Sequence, residues 1–557
     1  HGGDLVVWLS TQTPQRCRDD LATMLGMPPA RVRVIAPDVG GAFGGKASLM
    51  PEDVLCAVAA RSLRAPVRWC ASRSDEFLAE TQGRGAATEG TVVLDGDGRV
   101  LGLRAEMAFG LGHWMPYSAL APARNAGRIL PGPYGVPMVD TTVQARMTSG
   151  AAVNIYRGAG RPEAAALLER LMDKAAARLG LDPFEIRRRN LRPAGARMET
   201  GSGDVICSGD FAGLLDRLEA EAGHAARCAA RAARRARGEV CGIGVALYAE
   251  PCGQGWESAE LRLLADGNLV AATGASAQGQ GRETTFAQIV ADALGVVPET
   301  VRVIAGDTAE VPDGIGALAS RSTAIGGSAM LLAARKLTEV ARGHAATCLK
   351  AAPETVRAVP GGFAGPNGQL GWRELAAALG AAQGAHDGAV LVASERFTAP
   401  AEAWASGAVL AEVGIDPETG VVTLERITWV DDAGTVVNPM LVEGQLIGGL
   451  AQGIGTALFE EVIYDAAGQP LTSTLADYIL PGPAELPRFR LGHSETPSPY
   501  TRHGIKGVGE GAAIAPGGAI LNAINDALGP DGVELNRLPA TPARILAALI
   551  ERKGTTA

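Results

Sequence analysis

A stretch near the start of the chain recurs in its middle. Leu25-Gly26-Met27-Pro28-Pro29-Ala30-Arg31-Val32-Arg33-Val34-Ile35-Ala36-Pro37-Asp38 is echoed by Leu294-Gly295-Val296-Val297-Pro298-Glu299-Thr300-Val301-Arg302-Val303-Ile304-Ala305-Gly306-Asp307. The segments ahead of them match too, Ser10-Thr11-Gln12 with Ser276-Ala277-Gln278 and Arg16 with Arg282. Each copy reads as strand, glycine or proline loop, helix, strand and a further loop. A chain of 557 residues is too long for one core. The reading is an α+β chain of two related, elongated α/β domains, each with mixed sheets and helices, facing each other. A shared ligand is expected to be buried at their interface. The expected division is 1–222 and 223–557.

Turn chemistry places hairpins at Leu94-Asp95-Gly96-Asp97-Gly98, at Ala265-Asp266-Gly267-Asn268 and at Asp416-Pro417-Glu418-Thr419-Gly420. Cap signals predict helices over about 162–179 and 182–190, with Pro near the first turn and Gly180 after the first of them. Others are expected near 211–220, 282–294, 324–342, 443–453 and 515–527. The Ala/Arg-rich stretch 225–237 reads as a bridge between the domains.

The formal net charge of −9 argues against nucleic acid as a partner. The basic cluster Arg231, Arg234, Arg235 and Arg237 reads as a solvated helix face. No apolar run approaches the roughly 18 residues of a membrane-crossing helix. The chain begins at His1 rather than Met and is soon in a strand-like run, Leu5-Val6-Val7-Trp8-Leu9, so an upstream part is expected to be missing. The cysteines form no Cys-x-x-Cys and the histidines no His-x-x-x-His. An iron–sulfur cluster or structural zinc on this chain is therefore not expected. Scattered thiols suit a reducing compartment, and the cytoplasm is the expected location.

With 73 glycines the backbone can approach a ligand closely at many points. Five loops stand out: Gly40-Gly41-Ala42-Phe43-Gly44-Gly45-Lys46; Tyr156-Arg157-Gly158-Ala159-Gly160-Arg161-Pro162-Glu163; Gln278-Gly279-Gln280-Gly281; Ala319-Ser320-Arg321-Ser322-Thr323 ahead of Gly326-Gly327; and Lys506 with Gly507-Val508-Gly509-Glu510-Gly511. Glu443-Gly444-Gln445 on a helix joins them. None fits Gly-x-Gly-x-x-Gly or the Gly-x-x-x-x-Gly-Lys-Ser/Thr phosphate loop, since Ala47 follows Gly45-Lys46. Together they describe a large buried cofactor with one carboxylate, Glu510, as a base beside it.

These motifs, in this order and over nearly the whole chain, resemble the molybdenum-cofactor-binding large subunit of the xanthine dehydrogenase, aldehyde oxidase and aerobic carbon monoxide dehydrogenase family. The resemblance implies cofactor contacts from Gly41, Phe43, Gly44, Arg157, Gln278, Gly279, Gln280, Ala319, Ser320, Arg321, Ser322 and Gln445. It implies that Glu510 is the catalytic base, with Lys506 as a nearby cation or a brace for its loop. The metal would be held by the pterin dithiolene and by no protein side chain. The cofactor would be the molybdenum-pterin cofactor in its cytosine dinucleotide form. The implied reaction inserts water-derived oxygen at an electrophilic carbon, with hydride passing to a molybdenum sulfido ligand. Electrons would leave through an Fe-S small subunit and an FAD medium subunit, in a dimer of heterotrimers.

Ala47 and Ala159 are expected to line the substrate pocket. Purine-oxidising relatives carry a glutamate and an aromatic residue there, so a purine is disfavoured. Carbon monoxide oxidation needs a cysteine in the loop after the arginine, and Tyr156–Glu163 has none. An aldehyde or an N-heteroaromatic ring remains. The alternatives are a carbon monoxide dehydrogenase-like subunit and a catalytically silent scaffold.

Overall fold

The computed structural model describes residues 3–194, 198–199, 203–311, 313–383 and 388–555. His1 lies outside them. The echo in the sequence is a repeat in space. Leu5–Trp8 pairs in parallel with Val32–Ile35, in register from Leu5↔Val32 to Trp8↔Ile35. The helix Pro14–Leu25 connects them and ends at Gly26, φ 62°. In the second copy Leu269–Thr273 pairs in parallel with Val301–Ile304, from Leu269↔Val301 to Ala272↔Ile304. Its connecting helix, Arg282–Leu294, ends at Gly295, φ 67°. Parallel strands require such a crossover, and a left-handed glycine ends each helix cheaply.

The two copies meet at the ends of their second strands. Ala36 N–H donates to Gly306 O (2.7 Å) and Thr308 N–H to Val34 O (3.0 Å). Val34 N–H donates to Thr308 Oγ1 (3.0 Å), and Arg33 Nε to Asp307 Oδ1 (2.9 Å). At Gly306, φ +85°, an added Cβ would stand 2.4 Å from Ala36 O, so only glycine fits this seam.

Around the second copy the sheet grows by antiparallel addition of Trp256–Leu264 and then Ala389–Thr398. The helix Gly327–Cys348 lies on it. Its Met330, Ala333, Ala334 and Leu337 bury against Leu261, Leu263, Phe286 and Val290. A second four-stranded sheet runs Arg488–Ser494, Val422–Asp432, Ala403–Ile415, Val240–Cys252. One face takes the helix Pro516–Leu528. The other takes Leu214, Leu215 and Leu218 of the helix Phe211–Ala222. In the N-terminal half, Ala86–Leu94, Val100–Gly110 and Val139–Arg146 form a three-stranded sheet. Leu168 and Met172 of the helix Arg161–Leu179 share a core with Leu103 and Met107 of that sheet.

A buried polar clasp ties these parts together. Arg187 Nε donates to Glu169 Oε2 (2.8 Å) and Nη2 to Val245 O (2.8 Å). Tyr134 O–H donates to Glu169 Oε1 (2.6 Å). Asn522 Nδ2 donates to Glu169 O (3.1 Å) and Val245 O (3.2 Å). Burial would lower the Arg187 pKa, but the charges of Glu169 and Asp173 outweigh it and hold it well above its ordinary value.

All three hairpin turns fall between antiparallel strands. Helix ends shift where a side-chain cap or a wide first turn sets them. The helix expected near 443–453 starts at Pro439, because the Asn438 side chain caps it by accepting from Leu441 N–H (3.1 Å). The one expected near 324–342 opens with a wide turn, Ser322–Gly326, and then runs Gly327–Cys348. Ala121–Ile129 is a helix that carries little sequence signal. Among the described residues, no helix is long and apolar enough to cross a membrane.

Candidate active site

All five glycine-rich loops, together with Gln445, open onto one cavity of about 780 Å³. Phe43, Gly44, Arg157, Ala159, Gln278, Gly279, Gln280, Ala319, Ser320, Arg321, Ser322, Gln445 and Glu510 all line it. Two expected residues do not. Gly41 (φ +93°) sits behind Phe43, with its N–H on Val39 O. Ala47, expected in the substrate pocket, is fully buried and outside the lining. Its N–H closes a turn on Gly44 O (3.1 Å), and Thr13 Oγ1 donates to its carbonyl (3.3 Å).

The loops are held in backbone conformations that L-residues avoid. Phe43, Ala159, Ala319 and Ser320 have φ of 50°, 45°, 51° and 54°. Each costs roughly 1–2 kcal/mol, and such strain gathers where a ligand must be approached closely.

Glu510 is fixed from both sides. Its N–H donates to Ser320 Oγ (2.9 Å), and Ser320 Oγ donates to Glu250 Oε1 (2.7 Å). Its carboxylate Oε2 takes an ion pair from Arg161 Nη1, which lies 3.9 Å from Glu250 Oε1. One guanidinium thus faces two acids. Burial, and then the charge of Glu510, push the Glu250 carboxyl well above the usual range, against the pull of Arg161. Burial alone would lower the Arg161 pKa, but Glu510 and Glu250 hold it above its ordinary value. Glu250 therefore keeps a proton more readily than an exposed glutamate.

Lys506 is not the cation beside Glu510. Its Nζ donates to Asp432 Oδ2 (2.9 Å) and Thr496 Oγ1 (2.9 Å), and it is fully buried there. Four residues of sequence do not bring it to the acid, because Asp432 and Thr496 hold its ammonium instead. Lys506 braces the loop.

Arg157 ties the Glu510 loop to the helix Pro439–Leu458. Its Nε donates to Gly509 O, Nη1 to Gln452 Oε1 (3.1 Å), and Nη2 to Gln445 O (2.9 Å) and Gln445 Oε1 (3.3 Å). Burial lowers its pKa somewhat. Arg321 is spent on structure: Nη1 donates to Glu257 Oε2 (2.9 Å) and Gly316 O (3.0 Å). Gln278 N–H donates to Gln280 Oε1 (2.6 Å), and Gln278 Nε2 to Ser276 Oγ (2.6 Å). Gln12, missed as a site residue, ties the copies: Gly44 N–H donates to its Oε1 (3.0 Å), and its Nε2 donates to Ala317 O (2.7 Å). The signal was present, since Gln12 is the repeat's counterpart of Gln278. Glu250 and Arg161 were missed as partners of Glu510.

The wall suits a large polar ligand that brings its own metal-binding atoms. An added Cβ would meet nothing within 4 Å at Gly279 or Gly444, both in the lining. Arg161 Nε is buried with no hydrogen-bond partner. The side chains presented include amides, guanidiniums and hydroxyls. The one group of described residues able to gather on a metal ion, Asp182, His224 and Cys228, lies outside the lining.

Models of a molybdopterin cofactor-binding domain match residues 1–191 and 217–487. The chain is 35% identical to the 6-hydroxypseudooxynicotine dehydrogenase complex subunit gamma of Paenarthrobacter nicotinovorans, over 94% of this chain and 68% of that one. It is 32% identical to the nicotine 6-hydroxylase large subunit of the same organism, over 98% and 69%. The crystal structure of quinoline 2-oxidoreductase from Pseudomonas putida 86 superposes with a TM-score of 0.93 at 35% identity, covering 99% of this chain and 72% of that one. The chain belongs to the xanthine dehydrogenase, aldehyde oxidase and carbon monoxide dehydrogenase family of molybdenum hydroxylases, as a large subunit that binds the molybdenum cofactor.

Proposed function

We propose that this subunit hydroxylates an electrophilic carbon of an N-heteroaromatic ring or an aldehyde, with Glu510 as the general base. The observation that carries the reading is the fixing of Glu510 in the cavity wall by Arg161 and Ser320, with Glu250 behind it. The net change is R–H plus water to R–OH, two protons and two electrons. When bound, the cofactor supplies the activated oxygen and accepts the electron pair. Arg161 holds Glu510 Oε2, which leaves Oε1 to take the proton. Arg157 sets the position of the Glu510 loop through Gly509 O.

Gly44, Phe43, Gln278, Gly279, Gln280, Ala319 to Ser322 and Gln445 would hold the cofactor, in its cytosine dinucleotide form. The two cofactor-binding units would be 1–222 and 223–557. Fe-S and FAD subunits would take the electrons, in a cytoplasmic dimer of heterotrimers. Ala159 is a small residue in the cavity wall and leaves space for a ring. The names of the nicotine- and quinoline-oxidising relatives favour an N-heteroaromatic substrate. The test is Glu510→Gln in the reconstituted complex with a dye acceptor. Molybdenum content should be unchanged and turnover should fall at least about 100-fold. Full turnover would refute the role.

A further inference from the structure

Among the described residues, one cation in the cavity wall has neither an ion pair nor a side-chain hydrogen bond. Arg128 pairs with Asp204 (2.5 Å) and Glu402. Arg161 pairs with Glu510, Arg321 with Glu257 (2.9 Å) and Lys506 with Asp432 (2.9 Å). Arg157 spends its donors on carbonyl and amide oxygens. Arg124 lines the same cavity, is exposed, and makes no side-chain hydrogen bond or ion pair among the described residues.

Its place in the cavity is fixed by the helix Ala121–Ile129. Ala121, Arg124, Asn125 and Arg128 form one face and all four line the cavity. That helix abuts the loop holding Arg161: an added Cβ at Gly160 would stand 1.9 Å from Pro122 O. Arg128 holds Glu402, and Glu402 is among the charges that act on Arg161 beside Glu510. Arg124, one turn from Arg128 on the same face, is thus at the Glu510 end of the cavity.

An unanswered guanidinium at the mouth of a reaction pocket is a selector for anions. It stays charged at any working pH and offers a planar fork matched to a carboxylate. We infer that the substrate carries a carboxylate beside its reacting ring or aldehyde. Arg124 takes that carboxylate, and the Asn125 amide lies next to it as a second donor. This rests on the hydroxylase reading above and narrows it to an acidic substrate class.

The test compares pyridine-3-carboxylate with pyridine-3-carboxamide, and 3-carboxybenzaldehyde with benzaldehyde, in the reconstituted complex. The wild type should favour the acid of each pair in kcat/KM by about tenfold or more. Arg124→Gln should collapse that ratio at least tenfold through KM, and Arg124→Lys should restore part of it. Equilibrium dialysis of pyridine-3-carboxylate against the cofactor-loaded Glu510→Gln complex reads binding without turnover. There, adding Arg124→Gln should abolish retention. An equal loss for acid and neutral partners overturns the inference. So does a fall in molybdenum content, which would make Arg124 a cofactor anchor. Turnover of neutral rings with no retention of the acid overturns the inference alone. Failure of every ring and aldehyde to react strikes the hydroxylase reading, while dialysis still decides the role of Arg124.

Discussion

Glu250 and Glu510 share a single guanidinium, and that shortage of positive charge has two measurable effects. The Glu250 carboxyl is raised, first by burial and then by Glu510. A raised carboxyl holds its proton in the folded state after the unfolded chain has released it. Its contribution to stability is therefore full below the ordinary glutamate range, near pH 4, and is lost as pH rises through the raised value. Glu250→Gln keeps the neutral form, so its urea midpoint should fall less between pH 5 and 9 than that of the wild type. Parallel slopes would contradict the raised carboxyl. Arg161→Met removes the cation that lies between two acids that are 0% and 12% exposed. Leaving them unpaired should cost about 3–5 kcal/mol at pH 8. The deficit should shrink in acid, where the Glu250 carboxyl holds its proton, and urea unfolding at the two pH values measures it.

The helix Ala121–Ile129 depends on a neighbour with no side chain. Gly160 has φ +86°, and a Cβ there would stand 1.9 Å from Pro122 O. Gly160→Ala should destabilise by roughly 3 kcal/mol, read as a lower Tm, and should displace the Arg124 face. This helix was invisible in the sequence because glycine, asparagine and flanking prolines dilute its helical signal. The repeat was legible because strand, cap and loop residues recur in the same order in both copies. The loops were legible because glycine clusters with polar tips are unusual in a buried setting. The partners of Glu510 were not. Glu250 is a lone acid in the buried strand Val240–Cys252, and only the sheet's position against Ser320 gives it meaning. Lys506 drew attention through sequence proximity, while Arg161, far away in the chain, reaches the acid. Ala47 shows the same limit: a motif fixes its position in a loop but not which way the loop turns it.

At the scale of the whole molecule, the cavity is lined from Gln12 to Glu510 and its loops hold strained backbone. A ligand that binds only the folded state adds stability by mass action, about 4 kcal/mol at a thousandfold excess over Kd. Stripping the cofactor should therefore lower Tm and speed protease cleavage in loops 40–46, 278–281 and 319–323, with the clasp around Arg187 protected. Equal cleavage in loaded and stripped protein would show that the loops are rigid without it. The breadth of that lining also has a consequence during synthesis. No enclosing wall exists until residue 510 has left the ribosome, so a prosthetic group cannot be trapped by a nascent chain. Loading must wait until that acid has emerged and folded against the earlier loops. A translation product that stops before the last glycine turn stays empty, however abundant the cofactor in the cell.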